Sequence, residues 1–358
     1  MRRLYIVPER FAHHVAESSP DQLAAHLDPY ELFEAPYERL ADAPEALLRG
    51  AGPRPNIRTA YNERAFCREL ALIEAMRTRK DMLVHFLNGE SACYLSPRYK
   101  GENKIVAVYH QPPSFMETII PDKSHFPLHD AVVVVAPNQT AYFEKITGPG
   151  KVRCIPLGVE TGFFPFGPFA GRKKRVLFVG NWLRDFYLLA ETLARIARIA
   201  PDIELLCVTP AKNHAALAGE GIRLLTGLSV AELTTLYATS SVFLHPVADC
   251  TANTALLEAM ACGTPVVANA RAFASGYLSP DMSLVVPDGD AGAMTGAMPE
   301  VMPSIMADAC IRLCRDAPLA RRMSEAARQW AADRFDWARI APLYAELYAS
   351  LGADIRVR

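Results

Sequence analysis

Between Asp249 and Glu258 the chain reads DCTANTALLE, small polar residues giving way to an apolar segment that carries one carboxylate. A helix starting near Thr251 would turn its unpaired backbone N–H groups toward the preceding loop, and such an end attracts an anion, most plausibly a phosphate. Glu258 lies five residues beyond Asn253, roughly 7.5 Å along a helix axis. That is about the reach from a diphosphate to a ribose, whose two hydroxyls a carboxylate can accept. In an ordinary amphipathic helix Glu258 would instead be solvated, and spacing alone does not separate the two readings. His110 follows an apolar run, a position where a histidine is well placed to meet a ligand. Arg184 is the one cation in the turn 180–185.

These residues need elements to hold them. An apolar run at 242–244 reads as a buried strand, which Pro246 and the polar residues after it end in a loop. Thr251 or Asn253 can cap the helix, Leu256, Leu257 and Met260 give it a buried face, and Gly263 sits where a left-handed residue would stop it. A strand then opens at 265–267. Strand, loop, helix, tight turn and strand form one half-unit of a parallel sheet, where ligands collect at the carboxyl ends of strands. Similar apolar runs predict strands at 4–7, 82–86, 105–109, 131–136 and 152–155, and again at 176–179, 203–208, 222–225 and 284–286. Helices are expected over 138–146, 230–238, 304–315 and 319–334, and a last amphipathic helix from Trp337 should kink at Pro342. The segment 162–172, rich in Gly and Pro, reads as a linker, 290–303 as a loose insertion, and 16–52 shows no clear pattern.

The chain of 358 residues is about two domains' worth and is 51% hydrophobic, ample for two cores. Its net charge of -1 gives no global field for nucleic acid. No apolar run approaches the ~20 residues of a membrane span, and the start lacks signal-peptide grammar, so a cytoplasmic protein is expected. Eight cysteines are scattered through apolar segments; only Cys310 and Cys314 are close, without a nearby histidine. Buried thiols in a reducing compartment account for them better than a metal site. Asp288 and Asp290 could suggest a metal-held diphosphate, but they stand in a turn, and no metal is expected. Between Arg49 and Lys80, eight basic residues face three acids, with Phe66, Leu70, Ile73 and Met76 forming a helical stripe. The default reading is a solvated face over a core stripe; the sharper one is a basic surface for an anionic or lipid-linked acceptor at the inner face of a membrane. His85, inside an apolar run, reads as a core histidine. Oligomeric state is not legible.

LLEAMACGTPVVA, at 256–268, resembles the C-terminal signature of GT-B fold glycosyltransferases, in particular the retaining, nucleotide-sugar-dependent group (glycosyltransferase family 4, or group 1 type). The resemblance implies an α/β chain of two doubly wound, Rossmann-like domains facing a cleft: an acceptor domain at 1–165, a nucleotide-sugar domain at 166–335, and a C-terminal helix at 336–358 crossing back to the first. In that family two glutamates frame the helix start. Glu258 matches the second, which grips the ribose; Cys250 stands at the first, with Asp249 beside it as the substitute for sugar contact. The resemblance puts Thr251, Ala252, Asn253, Thr254 and Ala255 at the donor's sugar and phosphates. Gly180 and Asn181 lie in the diphosphate turn, Asn181 at the usual arginine position, so that Arg184 is the candidate phosphate contact. Thr226 falls at a strand end that holds the nucleotide base, and His110 faces the sugar from the first domain.

The implied activity is transfer of a hexose-type sugar from a nucleoside-diphosphate donor (UDP, GDP or dTDP) to the hydroxyl of a carbohydrate, lipid-linked or small-molecule acceptor. Retention, metal independence and the absence of a cofactor are expected with it. Two alternatives stay open: a sugar-nucleotide-binding subunit without turnover, motivated by the missing glutamate and arginine, and a GT-B fold sugar-nucleotide epimerase.

Overall fold

The structure is a computed structural model that describes residues 1–8, 15–51, 61–167, 169–287 and 301–358. Asp288, Asp290, Arg54, Arg58 and most of the expected 290–303 insertion lie outside the described residues. The chain divides into two compact units, one of Met1–Gly158 with Trp337–Arg358 and one of Val159–Asp336.

In the first unit the strands are β1 (Arg3–Val7), β2 (Leu27–Asp28), β3 (Glu31–Leu32), β4 (Met82–Phe86), β5 (Lys104–Tyr109), β6 (Ala131–Val134) and β7 (Val152–Cys154). Six of them form a parallel sheet in the order β3-β1-β4-β5-β6-β7. Its central strands are buried at nearly every position, which is why they read as unbroken apolar runs rather than alternating ones. Strand β6 ends at Val134, short of the expected 136. There Gln139 Oε1 accepts from the N–H of Val135 and of Ala136, both at 2.9 Å, and draws the backbone out of the ladder into a 3-10 turn. Strands β2 and β3 are two residues each, too short to show any periodicity, so the region 16–52 gave no signal.

The second unit contains β8 (Lys173–Val179), β9 (Glu204–Val208), β10 (Ile222–Leu225), β11 (Ser240–His245), β12 (Val266–Asn269) and β13 (Ser283–Val286), parallel in the order β10-β9-β8-β11-β12-β13. Counted within the unit this is 3-2-1-4-5-6, the dinucleotide-binding order, and its switch point lies between β8 and β11. The following helix, Val301–Arg315, starts earlier than expected, with Pro303 in its first turn where a missing N–H costs nothing.

The C-terminal helix Trp337–Ser350 accommodates Pro342 and belongs to the first unit. Its Tyr344 and Tyr348 pack on His85, with Tyr348 Oη 2.7 Å from His85 Nδ1. The short β14 (Arg356–Val357) pairs antiparallel with β2. Helix Glu63–Thr78 buries Phe66, Leu70, Ile73 and Met76, while three basic residues of 49–80 meet carboxylates: Arg49–Glu45 at 2.6 Å, Arg64–Glu38 at 2.7 Å and Lys80–Glu102 at 3.0 Å. This is the solvated-face reading. Among the described residues no helix is long and apolar enough to cross a membrane.

Candidate functional site

In the second unit the site is built where β8 and β11 end side by side. Asn253 caps the helix Thr254–Ala261, its Oδ1 accepting from Leu256 N at 3.1 Å and its carbonyl from Leu257 N. The N–H groups of Thr254 and Ala255 are the remaining first-turn donors. Thr251, the other candidate cap, is buried in the loop before the helix. Leu256, Leu257 and Met260 are buried as expected, and the burial extends over every residue from Ala255 to Ala261, because the helix lies under Val230–Thr239 and Ala317–Arg334. Glu258 is therefore not a solvated residue. It is 3% exposed, and Tyr237, itself fully buried, donates its hydroxyl to Glu258 Oε2 at 3.0 Å. Gly263 takes φ +67, the left-handed conformation that ends the helix.

The loop ahead of the helix is pinned. Asn269, at the end of β12, accepts from Val247 N at 3.1 Å and donates to Val247 O at 2.8 Å. Asp249 Oδ1 accepts from Cys250 N at 2.8 Å, and Cys250 is buried, its Sγ donating to Thr251 O at 3.0 Å. Burial pushes the Cys250 thiol up to about 11 despite the nearby Arg184 charge, so Cys250 presents a neutral thiol where the resembling family carries a carboxylate. Asp249 and Ala252 are half-buried.

The turn after β8 is stitched to this loop by Ala248 N to Leu183 O at 3.0 Å and Asp185 N to Pro246 O at 3.2 Å. Leu183 has φ +53 and Gly180 φ +138. Arg184 does not reach out to solvent as a surface phosphate contact would. Only 8% exposed, its guanidinium lies across Gly180 and donates to Trp182 O at 3.0 Å and Val179 O at 3.4 Å, with Nε lacking a partner. Both acceptors are neutral, and none of the ion pairs among the described residues includes Arg184. Burial lowers its pKa, and burial, with the Arg184 charge adding to it, holds His245 well below the usual imidazole range. His245 is fully buried, and neither ring nitrogen has a hydrogen-bond partner. The strand ends thus hold an uncompensated buried cation, which favours an incoming anion.

Asn181 turns the other way. Its Oδ1 accepts from Asn213 Nδ2 at 2.8 Å, which also reaches Thr209 Oγ1 at 2.9 Å, tying the ends of β8 and β9 together. Thr226, exposed at the end of edge strand β10, is three strands from β11, about 14 Å away. The structure therefore brings together Gly180, Arg184, Asp249, Thr251, Ala252, Asn253, Thr254, Ala255 and Glu258, and sets Thr226 apart. Sequence reasoning missed Tyr237, His245, Asn213 and Asn269. Polar residues closing β11 and β12 were the available signal for two of them; Tyr237 and Asn213 act across long separations that no local pattern marks.

His110 lies in the first unit, at the end of β5. Its Nε2 is 2.8 Å from Leu87 O; a carbonyl only accepts, so Nε2 carries a proton. Glu90, 4% exposed, accepts from the backbone N–H of His110 and of Gln111 (2.7 Å) and fixes this loop. Among the described residues no cluster of three or more His, Cys, Asp or Glu side chains is arranged to hold a metal ion.

Residues 173–316 match the family model described as glycosyl transferases group 1. That stretch, rather less than half of the chain, is similar to the group 1 glycosyltransferases. The chain is 28% identical over 189 residues to a phosphatidyl-myo-inositol mannosyltransferase of Propionibacterium freudenreichii subsp. shermanii, covering 51% of this chain and 45% of that one. It is 29% identical over 213 residues to an MMP alpha-(1->4)-mannosyltransferase of Mycolicibacterium hassiacum, covering 56% of this chain and 48% of that one. The matches thus span about half the length of these curated relatives. The fold is that of GT-B proteins: Anabaena HepE, solved with UDP and glucose, superposes at TM-score 0.69 with 14% identity over 98% of this chain and 100% of that one.

Proposed function

We propose that this chain is a glycosyltransferase that moves a hexose from a nucleoside-diphosphate sugar to an acceptor hydroxyl, with retention at the anomeric carbon and without a metal. The observation that carries this reading is the capped helix start at Asn253 beside the buried, unneutralised Arg184 at the β8/β11 switch point. Both favour negative charge, and charge builds on the diphosphate as the glycosidic bond breaks. Thr254 and Ala255 N–H receive the diphosphate, and Arg184 stabilises it through its field and by holding the turn around Gly180 and Asn181. Glu258 takes the ribose hydroxyls, Asp249 and Thr251 border the sugar, and Thr226 the base. The departing diphosphate accepts the proton of the attacking hydroxyl.

The named activities of the two relatives support mannose as donor sugar, and the ligands of the HepE structure support UDP with glucose. Calorimetry with UDP-, GDP- and dTDP-linked glucose and mannose tests the donor; turnover with a hydroxyl acceptor in EDTA, with the product anomer read by NMR, tests transfer, metal independence and retention. One observation favours a second reading. Cys250 buries a neutral thiol where the resembling family has a sugar-contacting glutamate, which suits a donor-binding subunit without turnover. Tight donor binding with no transfer to any acceptor would select it.

A further inference from the structure

Two helices of the second unit, Val230–Thr239 and Thr254–Ala261, end side by side, and the Arg172 guanidinium lies between their carboxyl ends. The last carbonyls of a helix have no partner within it, and both helix dipoles present their negative ends here. Arg172 answers both needs with one planar fork. Its Nη1 donates to Tyr237 O at 3.1 Å and to Ser240 O at 2.9 Å, and its Nη2 to Cys262 O at 2.6 Å. Thr264 Oγ1 adds a second bond to Tyr237 O at 2.8 Å. The arginine is itself held: its N–H donates to Phe169 O at 2.9 Å, and its Cζ lies 5.7 Å from the centre of the Phe169 ring. Burial lowers its pKa to about 10, so the cation persists at neutral pH.

These bonds close a ring around Glu258. Arg172 holds the carbonyl of Tyr237, and Tyr237 donates its hydroxyl to Glu258 Oε2 at 3.0 Å. Glu258 O accepts from Cys262 N at 3.0 Å, and Cys262 O returns to Arg172. The fork therefore sets the spacing of the two helices, and with it the direction in which the Glu258 carboxylate points. A lysine keeps the charge but brings a point ammonium where two helix ends share a fork. Arg172 precedes Gly180 by eight residues of extended chain, about 25 Å, so its reach into the candidate donor site runs through Tyr237 and Glu258.

We propose that Arg172 is a positioning residue for the donor: through Tyr237 it fixes the Glu258 carboxylate in the geometry that takes both ribose hydroxyls, which makes the site selective for ribonucleotide over 2′-deoxyribonucleotide donors. The assignment rests on the glycosyltransferase reading above and narrows it, setting aside dTDP-linked sugars. The test is calorimetry on the full chain, comparing UDP with 2′-deoxy-UDP and GDP with 2′-deoxy-GDP. The wild type should favour the ribonucleotide of at least one pair about tenfold or more, since the carboxylate loses one charged hydrogen bond to the deoxy form. Arg172→Met should cut that preference at least fivefold, chiefly by weakening the ribonucleotide. Lost stability alone would leave the ratio unchanged in folded protein. In a Glu258→Gln background Arg172→Met should reduce the preference no further. Arg172→Lys should lose at least twofold of the preference, and it carries the comparison should Arg172→Met fail to fold. An unchanged preference in either folded variant, or an equal further loss in the Glu258→Gln background, overturns the proposal and leaves the donor reading standing. Nucleotide binding by the wild type with no such preference sinks the ribose assignment and the proposal together; no nucleotide binding at all sinks the donor reading with them.

Discussion

Glu258 carries the sharpest expectation at the scale of single residues. Buried and already accepting from Tyr237, it is preorganised to accept more, and a hydrogen bond to a charged group contributes ~1.5–3 kcal/mol. Glu258→Gln keeps an acceptor for Tyr237 but removes the charge, so calorimetry should show nucleotide affinity falling about tenfold or more in a folded protein; unchanged affinity would end the ribose assignment. Gly180 is the second such residue. A Cβ there would stand 2.5 Å from Arg184 Nη2, on a backbone at φ +138. Gly180→Ala should therefore cost roughly 1–3 kcal/mol in backbone strain alone, lowering the melting temperature and displacing the guanidinium. The glycine was legible as the end of a strand. That it makes room for a guanidinium was not, because Arg184 reads locally as an exposed turn cation and only the packed turn shows it folded inward.

The decisive element is the pair of loops closing β8 and β11. They are joined to each other backbone to backbone, and Asn269 holds the second through both polar atoms of its side-chain amide. Asn269→Ala would leave the buried N–H and C=O of Val247 without those partners, at about 1–3 kcal/mol for each unsatisfied group. The urea midpoint should fall and donor affinity with it, even though Asn269 lies beyond the helix whose start it steadies; a variant with wild-type affinity would show that the loop needs no clamp. The helix and its start and stop residues could be read from Asn253 and Gly263, since capping is local chemistry. The clamp could not, because it joins residues 22 positions apart.

Acid sensitivity belongs to the whole molecule. Burial pushes His85 down to about 3 and His129 down to about 4, from an ordinary value of 6.5. The unfolded chain therefore binds protons near pH 6.5 that the folded chain refuses. Stability is fully present above pH 6.5 and falls as pH drops toward 4, where folded His129 begins to protonate. Urea midpoints measured from pH 7 to 4 should decline, and His85→Gln should reduce the slope by about one proton; an unchanged slope would mean that His85 is charged in the folded state.

The sequence by itself determined the two parallel sheets, the helix that starts after β11 and the family resemblance. Buried parallel strands are written as continuous apolar runs, and caps and left-handed glycines are written within a few residues of where they act. Only the tertiary structure decided that Arg184 turns inward, that Glu258 is buried against Tyr237, and that Asn181 faces Asn213. Each depends on side chains meeting across different strands and helices. Folding sets those distances, and no spacing along the chain records them.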